Sequence, residues 1–339
     1  MEPNAPNPGL IFDTLVSYQK AAALNAALDI SLFTAIARGH STPDTIAAHT
    51  QSSPRAIRIL CDYLTIHGFL NKTAMPPTPA YSLTPDSALF LDEHSPAYLG
   101  SIRLFLHGGD LKDAFNYFTD AVRTGRTALP GQGSVDFDDP IWQSFARAMM
   151  PMMMPPAQFI AQQLVGLNPC RVLDIAASHG AFGISIARAN PAASIMALDF
   201  PGVLPVTREH VGVAGLNAQF SFLPGDIFTS DLEGPYDVAL LTNLLHHFSM
   251  EKNIGMLHRI RESLAPGGRV LTLEFVPNAD RITPPMSAAF SLVMLGSTVE
   301  GDAYTFAEFE QMFQAAGFPR NEVVDVPNSV QQLITSYAG

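Results

Sequence analysis

The first part of the chain, to about residue 95, repeats its hydrophobic positions at spacings of three and four residues. This spacing predicts an amphipathic helix over residues 10–28. Two further helices are predicted to begin at Thr42 and Ser53, because a hydroxyl side chain followed by proline is typical of a helix start. Residues 69–84 predict a short hairpin. Three helices followed by a hairpin favour a winged-helix module over residues 1–95.

The middle of the chain, residues 96–165, is predicted to be a helical connector with a loop rich in proline and glycine. It contains a methionine-rich run from Phe145 to Met154. Methionine either fills a core or forms a pliable apolar pocket wall, because its thioether is flexible and polarisable. The sequence is compatible with both roles.

The pattern changes at Arg171, where short apolar runs begin to alternate with helical segments. Such alternation predicts a parallel sheet with right-handed crossovers and helices on both faces. The expected fold class is therefore α/β, with a mostly parallel sheet in a domain over residues 166–339 that follows the N-terminal module and the connector. The predicted strands cover residues 172–176, 194–199, 218–223, 236–242 and 268–274.

Polar side chains stand at the carboxyl ends of these predicted strands, where parallel sheets bind their ligands. They are Asp174, Asp199, Asp226, His246 and Glu274. After the first strand, alternate positions hold the small residues Ala176, Ser178 and Gly180, which lets the backbone approach an anion closely. The turn lacks the GxGxxG pattern, so a nicotinamide dinucleotide is disfavoured.

Two of the acids suit a bound nucleoside. Asp199, one βα unit after Asp174, is placed to accept hydrogen bonds from both hydroxyls of a ribose. Asp226 can bond an exocyclic amine while the neighbouring Ile227 covers the face of a purine. A single acid is more often a surface or capping residue, but three in register at successive strand ends favour a ligand site.

His246 and His247 fall in the loop after the fourth predicted strand, above the sheet. This location favours a general base, since an unperturbed imidazole, with a pKa of ~6.5, is mostly neutral near pH 7 and accepts a proton. A metal site built from these two histidines with Glu251 and His258 matches no standard zinc spacing. No metal is therefore expected.

Charge and composition narrow the choice of partners. The 339-residue chain has 19 Lys and Arg against 31 Asp and Glu, a net charge of −12. Residues 1–95 hold five basic and eight acidic side chains, 5 − 8 = −3, which opposes DNA binding. No apolar run reaches membrane length, the first residues do not resemble a signal peptide, and two separated cysteines suit a reducing compartment. We expect a cytoplasmic protein with neither a nucleic-acid nor a membrane partner.

Stretches along nearly the whole chain resemble, in the same order, the S-adenosyl-L-methionine (SAM)-dependent O-methyltransferases of the caffeic acid O-methyltransferase type. The resemblance implies an N-terminal winged-helix dimerisation domain, a C-terminal Rossmann-like class I methyltransferase domain and a homodimer. The matching stretches are VLDIAASHG, ALDFPGV, LPGDIF, LLTNLLHHF, LAPGGRVLTLEFVP and YTFAEFEQMFQAAGF.

The resemblance also implies a role for each motif position. The turn after the first strand would hold the methionine part of SAM, Asp199 the ribose, and Asp226 with Ile227 the adenine. His246 matches the catalytic base and Glu274 the acid that orients it. The predicted cofactor contacts are Asp174, Ala176, Ser178, Gly180, Asp199, Phe200, Asp226, Ile227, Asn243 and Met149. The residues predicted to line the substrate are Trp142, Phe145, Met152, Met153, Phe290, Met294 and Thr298.

The sequence departs from the family pattern in three places. The glycine-rich DxGxGxG of the family is DxAxSxG here. The base is usually followed by Asp-Trp, whereas His247 and Phe248 follow it in this chain. Ala303 occupies the position of a second supporting acid, with Glu300 and Asp302 as the nearest substitutes. These changes bear on the base more than on cofactor binding.

We therefore predict a SAM-dependent enzyme that methylates a hydroxyl of a small apolar, aromatic metabolite and releases S-adenosyl-L-homocysteine. Few charges converge on the predicted pocket, which disfavours phosphorylated substrates. C- or N-methylation, or a SAM-assisted reaction without methyl transfer, are alternatives in the same scaffold. A SAM-sensing winged-helix regulator and a nicotinamide dehydrogenase are alternatives from other classes.

Overall fold

The computed structural model describes residues 6–73, 79–134, 141–167 and 170–339. The contacts within the chain divide it into two compact units, Met1–Arg103 and Leu104–Gly339. The finer division of the chain at residues 95 and 165 remains a prediction.

The first unit is a small helical body with a β-hairpin. Its elements are α1 Gly9–Leu15, α2 Ser17–Asp29, α3 Leu32–Ala37, α4 Pro43–Thr50, α5 Pro54–Ile66, β1 Leu70–Thr73, β2 Ala80–Leu83 and α6 Pro85–Phe90. Thr42 caps α4 in a reciprocal pair with Thr45, and α4 and α5 each begin with proline, as predicted. The helix predicted over residues 10–28 is interrupted at Val16, a β-branched residue of low helix propensity whose ψ of 0° departs from helical geometry.

The hairpin is anchored to α5 by the carboxylate of Asp62. Its Oδ1 accepts a hydrogen bond from Tyr81 Oη and pairs with Lys72 Nζ, both at 2.6 Å. Burial raises the pKa of Asp62, but the hydrogen bonds from Lys72 and Tyr81 outweigh it and the net pKa is lowered. The predicted hairpin and the helix starts at Pro43 and Pro54 are observed, whereas α3 and α6 are additional to the three predicted helices.

The second unit begins with helices that precede the sheet. They are α7 Arg103–Leu106, α8 Gly109–Asn116, α9 Phe118–Thr124 and α10 Ile141–Gln162. Helix α10 carries the methionine-rich run, and helical periodicity divides that run between two faces. Met149 and Met153, one turn apart, are buried, whereas Met152 is 39% exposed.

A seven-stranded sheet forms the centre of the second unit. Its strands are β3 Cys170–Ile175, β4 Ala193–Asp199, β5 Phe220–Pro224, β6 Tyr236–Thr242, β7 Leu264–Glu274, β8 Arg320–Asp325 and β9 Gln332–Tyr337. The strand order is β5-β4-β3-β6-β7-β9-β8, and β3 to β7 are parallel. The associated helices are α11 Ala181–Ala189, α12 Leu204–Val213, α13 Met250–Ser263, α14 Pro285–Ser297 and α15 Phe306–Ala315. The predicted fold class is confirmed.

Strands β8 and β9 are absent from the predicted set. They run antiparallel to each other, and β9 lies antiparallel to β7, so that β8 forms an edge of the sheet. The edge strand is largely exposed and has no clear hydrophobic alternation, which explains why its sequence gives a weak strand signal. In β9 the buried pair Leu333 and Ile334 is the detectable signal.

The strand order reverses between β3 and β6. From β3 the chain proceeds through β4 to β5 at one edge, and then returns to place β6 on the other side of β3. Ligands of open α/β sheets bind in the crevice beyond the carboxyl ends of the strands at such a reversal. Within the part of the chain that the structure describes, no helix combines the length and the apolar composition needed to cross a membrane.

Candidate functional site

The turn after β3 is built from residues in the left-handed region of backbone space. Ala176, Ser178 and Gly180 have φ values of 53°, 51° and 74°. Glycine adopts this region freely, whereas a side chain there carries strain. Ala176 and Ser178 therefore adopt a backbone conformation that glycine favours, at a conformational cost.

Asp199, at the end of β4, holds this turn in place. Its Oδ2 accepts a hydrogen bond from Ser178 N at 2.7 Å and its Oδ1 accepts one from Phe200 N at 2.7 Å. Burial raises the pKa of Asp199 to about 6, although the two backbone hydrogen bonds oppose the shift. Each oxygen keeps a further lone pair, so the carboxylate can also accept hydrogen bonds from a diol in the cavity it lines.

Asp174 lies beneath the turn. Its side chain is fully buried, its Oδ2 accepts from Gly183 N at 3.2 Å, and burial raises its pKa to about 7. Although it is predicted as a cofactor contact, Asp174 is not among the cavity-lining residues, and it supports the first turn of α11 instead. Its Oδ1, like the buried hydroxyl of Ser178, has no hydrogen-bond partner among the described residues. Buried polar atoms are normally paired, so both atoms have an unmet hydrogen-bonding capacity.

The loop after β5 presents a second acid and apolar cover. Asp226 Oδ1 accepts a hydrogen bond from Phe228 N at 2.9 Å, which fixes the loop beside the buried Ile227. The ring of Phe228 meets that of Phe248 edge to face, with centroids 5.0 Å apart. The arrangement provides an acceptor next to a flat apolar wall, as a purine requires.

His246 is buried and paired with Glu274 at the end of β7. Its Nδ1 lies 2.6 Å from Glu274 Oε2, while Glu274 Oε1 accepts from the backbone N–H groups of Leu244 at 3.0 Å and Leu245 at 2.9 Å. Because the carboxylate can only accept, Nδ1 carries the hydrogen and Nε2 is left with a free lone pair. The structure thus brings the two predicted catalytic residues together.

The ring of His246 lies between two other rings. His247 is 4.3 Å away between centroids and Phe290 4.9 Å away. His247, unlike His246, lines the cavity. Burial, with a smaller contribution from His246, lowers the pKa of His247 well below its ordinary value, so the imidazole of His247 is neutral.

Asn243 lines the cavity and also contacts Met153 of α10 and Gln331, the residue before β9. It adopts a left-handed conformation with φ of 58°, its Oδ1 accepts from Gln331 Nε2, and its Nδ2 lies 3.7 Å from Met153 Sδ. Gln331 is buried beside the first residue of β9. The sequence offers no local signal for Gln331, because its role depends on strands that bring residues 88 positions apart together.

The loop after α14 supplies no second acid to the base. Asp302 pairs with Arg281 at 3.3 Å and Glu300 with Lys252 at 3.1 Å, and Glu274 is the one acid of the described residues with a recorded contact to the His246 side chain. Gly301 packs against the His246 carbonyl so closely that a Cβ has no room there. The loop therefore contacts His246 through its backbone, and Asp302 N donates to His246 O at 3.0 Å.

These elements line one cavity that is partly open to solvent. Of the predicted cofactor contacts, Ala176, Ser178, Asp199, Phe200, Asp226, Ile227 and Asn243 line it. Lining residues outside the predicted set include Gln132, His179, Phe182, Val203, Phe228, His247, Phe248, Lys252 and Glu300. Gly180 shapes the turn without lining the cavity, and Met149 is buried elsewhere in α10.

The residues predicted to line the substrate are not all brought together. Trp142 and Phe145 line the cavity, Phe290 packs on the base, and Met153 contacts Asn243. Met294 is buried, Met152 is largely exposed, and the Thr298 hydroxyl donates to Met294 O at 2.7 Å. Whether a helical residue lines the cavity depends on the face of the helix it occupies. A run of consecutive methionines does not show which of them face the cavity. Among the described residues, no group of three or more His, Cys, Asp or Glu is arranged to hold a metal ion.

Comparison with known proteins gives consistent matches. The family model described as O-methyltransferase domain matches residues 136–319, and that described as O-methyltransferase dimerisation domain matches residues 12–93. The chain is 27% identical to the tetracenomycin polyketide synthesis 8-O-methyl transferase TcmO of Streptomyces glaucescens, over 95% of both proteins. It is 29% identical to the acetylserotonin O-methyltransferase of Mus musculus, over 91% of this chain and 83% of that protein.

Solved structures show the same similarity. A provisionally classified O-methyltransferase from Nostoc punctiforme is 44% identical with a TM-score of 0.95, over 98% of this chain and 100% of that one. Human N-acetylserotonin methyltransferase, solved in complex with SAM, is 21% identical with a TM-score of 0.86, over 100% of this chain and 99% of that one, and so shares the fold.

The strain in the turn after β3 can be measured. We expect Ala176→Gly to raise the free energy of unfolding by about 1 kcal/mol, because glycine relieves the left-handed strain at φ of 53°. Ala177→Gly is the matched control, because Ala177 lacks a positive φ. This variant should have a free energy of unfolding about 1 kcal/mol lower than that of the native chain. Urea unfolding of both variants decides the point, and equal destabilisation by the two would contradict the strain.

Proposed function

Because the chain belongs to the O-methyltransferase family, whose members are SAM-dependent enzymes, we propose that it methylates a hydroxyl of a small apolar, aromatic metabolite with His246 as general base. One observation carries the proposal. The buried His246–Glu274 pair stands beside an aromatic-lined cavity whose strand-end acids suit an adenosyl group.

The described residues fit the cofactor. Asp199 offers acceptor lone pairs to the ribose hydroxyls, and Asp226 offers the same to the adenine amine beside Ile227. The unpaired hydroxyl of Ser178 and the strained turn around it suit the polar methionine end. When bound, SAM supplies a methyl group that its sulfonium makes electrophilic, so the proposal includes no metal.

The chain's own part in the reaction is to align a hydroxyl and take its proton. Glu274 holds the Nδ1–H of His246, which leaves Nε2 as the proton acceptor. Three backbone N–H groups fix Glu274 in turn, so little rearrangement is needed. Orientation of the reacting groups supplies up to ~7–11 kcal/mol in favourable cases, and a positioned base ~10²–10⁴-fold in rate.

The lining favours an aromatic acceptor. Trp142, Phe145, Phe200 and Phe248 contribute rings, and the one lysine among the lining residues, Lys252, is already paired with Glu300. Two relatives are named for acting on acetylserotonin and in tetracenomycin polyketide synthesis. Family membership does not favour the regulator or the dehydrogenase considered from the sequence.

We also infer a homodimer formed through the N-terminal unit. Leu10, Ile11, Phe12 and Leu15 of α1 are between 62% and 79% exposed, an apolar cluster typical of interaction surfaces. The match of residues 12–93 to a dimerisation domain supports this. A cytoplasmic location and the lack of a nucleic-acid partner stay predictions from composition.

The base assignment predicts a rate effect without a binding effect. His246→Ala should lower kcat at least tenfold while the Kd for SAM stays within about twofold, because the imidazole acts on the acceptor hydroxyl. His258→Ala, an exposed histidine on α13, is the control. Methyl transfer to a phenol panel and calorimetry with SAM give both values. An unchanged kcat would remove His246 as the base.

The raised pKa of Asp199 predicts that the affinity for SAM depends on pH. The ionised carboxylate is the form that accepts from two ribose hydroxyls, so the affinity of the native chain should fall as the pH drops through about 6. Asp199→Asn should weaken binding at pH 8 by about tenfold or more and abolish this pH dependence. Calorimetry from pH 5 to 8 tests both effects, with the exposed Asp120→Asn as control. A native affinity independent of pH in this range would contradict the role of Asp199.

The proposed dimer surface on α1 can be tested by introducing one charged side chain into it. Phe12→Glu should shift the chain from dimer to monomer in sedimentation velocity, because a carboxylate would have to be buried in an apolar contact. Gln19→Glu places the same charge at an exposed position of α2 and should leave the dimer intact. A native chain that sediments as a monomer would refute the proposal.

A further inference from the structure

Two ring nitrogens in the cavity lining have no hydrogen-bond partner among the described residues. They are Trp142 Nε1 and His247 Nδ1, and both atoms are almost fully removed from solvent. A buried polar atom left unpaired costs ~1–3 kcal/mol, and such atoms are therefore rare in folded proteins. Both atoms belong to residues that line the same cavity, so one ligand group that contacts both rings there would satisfy both.

The two nitrogens belong to rings that touch each other and stand next to the base. The Trp142 and His247 rings meet edge to face, with centroids 5.4 Å apart and planes at 88°. The His247 ring in turn lies 4.3 Å from that of His246. A group held by both nitrogens therefore lies beside the hydroxyl that His246 would deprotonate.

From this juxtaposition we propose that Trp142 and His247 together bind an uncharged carbonyl oxygen next to the methylated hydroxyl, so that the substrate is a hydroxyaryl ketone. The proposal rests on the proposed function and deepens it by naming the substrate class. It assigns Trp142 and His247 as specificity-determining residues.

The hydrogen-bonding capacities of the two rings define this group. Indole Nε1–H can only donate, so its partner must be an acceptor. A neutral imidazole donates through Nδ1 in one of its tautomers, and burial keeps His247 neutral. A carbonyl oxygen has two lone pairs and takes both donors. A carboxylate is disfavoured, since it would be desolvated without a free cation, as Lys252 is paired with Glu300.

Binding the carbonyl in this way also assists the reaction. In a free ortho-hydroxyaryl ketone the hydroxyl donates its hydrogen internally to the carbonyl. Donors from Trp142 and His247 would take over the carbonyl lone pairs, which frees the hydroxyl hydrogen for His246 Nε2. The proton would pass from the substrate oxygen to His246 Nε2, and an oxygen lone pair would form the bond to the methyl carbon. The methyl–sulfur bond of SAM would break with its electron pair left on sulfur, so that S-adenosyl-L-homocysteine leaves.

The other occupant to weigh is the cofactor. In the proposed function, Asp199 and Asp226 at the ends of β4 and β5 bind the adenosyl part of SAM. His247 lies elsewhere, in the loop after β6 and directly after the proposed base. We therefore assign the two nitrogens to the substrate, and binding of SAM becomes a readout of the test.

The test compares two acceptors that differ by the carbonyl, 1-naphthol and 2-acetyl-1-naphthol. The native enzyme should prefer the ketone in kcat/KM. Trp142→Phe, which keeps an aromatic ring and removes the donor, should lower kcat/KM for the ketone about tenfold and for 1-naphthol less than twofold. His247→Phe should act in the same direction. Calorimetry with SAM should show an unchanged Kd in both variants.

Other results overturn the inference. Equal losses on both naphthols would show that the rings only pack, and a weakened Kd for SAM would assign the nitrogens to the cofactor. If the native enzyme methylates neither compound, calorimetry of both on the enzyme loaded with S-adenosyl-L-homocysteine separates the two proposals. Selective binding of the ketone, lost in Trp142→Phe, would support the carbonyl site while the proposed reaction fails. Binding of neither compound, or of both equally, would refute the carbonyl site.

Discussion

The buried carboxylate of Glu274 is the constraint on which His246 and its loop depend. A carboxylate removed from water is costly unless its lone pairs are used, and Glu274 uses them on three backbone N–H groups and on His246 Nδ1. These donors all come from the loop after β6. They reach Glu274 because β6 and β7 are parallel neighbours that end at the same edge of the sheet. The pairing of two strands thus sets which nitrogen of the imidazole carries hydrogen.

The side of the cavity proposed to bind the cofactor depends in the same way on one carboxylate and one turn. Asp199 binds the backbone of Ser178, and this contact helps the turn keep its left-handed residues although Ala176 and Ser178 replace glycines. The turn's shape is therefore held by contacts across the strand ends in addition to local preference. This explains how the DxAxSxG sequence keeps two non-glycine residues at positive φ, at the cost of strain.

Much of the fold and of the candidate site could be predicted from the sequence, because both depend largely on local sequence patterns. The apolar runs of β3 to β7 and the acids that end them are local patterns, so the sheet and the places of Asp199, His246 and Glu274 follow from periodicity and motif order. What could not be predicted depends on distant contacts or on helix faces. Gln331 reaches Asn243 through the inserted strand β9, Met152 faces solvent, and Thr298 bonds to its own helix.

The departures from the family pattern around the base are consistent with one another. His247 stands where the family has an acid after the base, and Ala303 stands where it has a second supporting acid. In the proposed reaction His246 takes a proton, and with one carboxylate beside it the resulting pair has no net charge, whereas two or three acids would leave a net negative charge in an apolar surrounding. The His247 and Trp142 rings are also uncharged, and in the proposed site they offer the substrate hydrogen bonds without a charged group. A base environment of this kind suits an acceptor that is itself uncharged and aromatic.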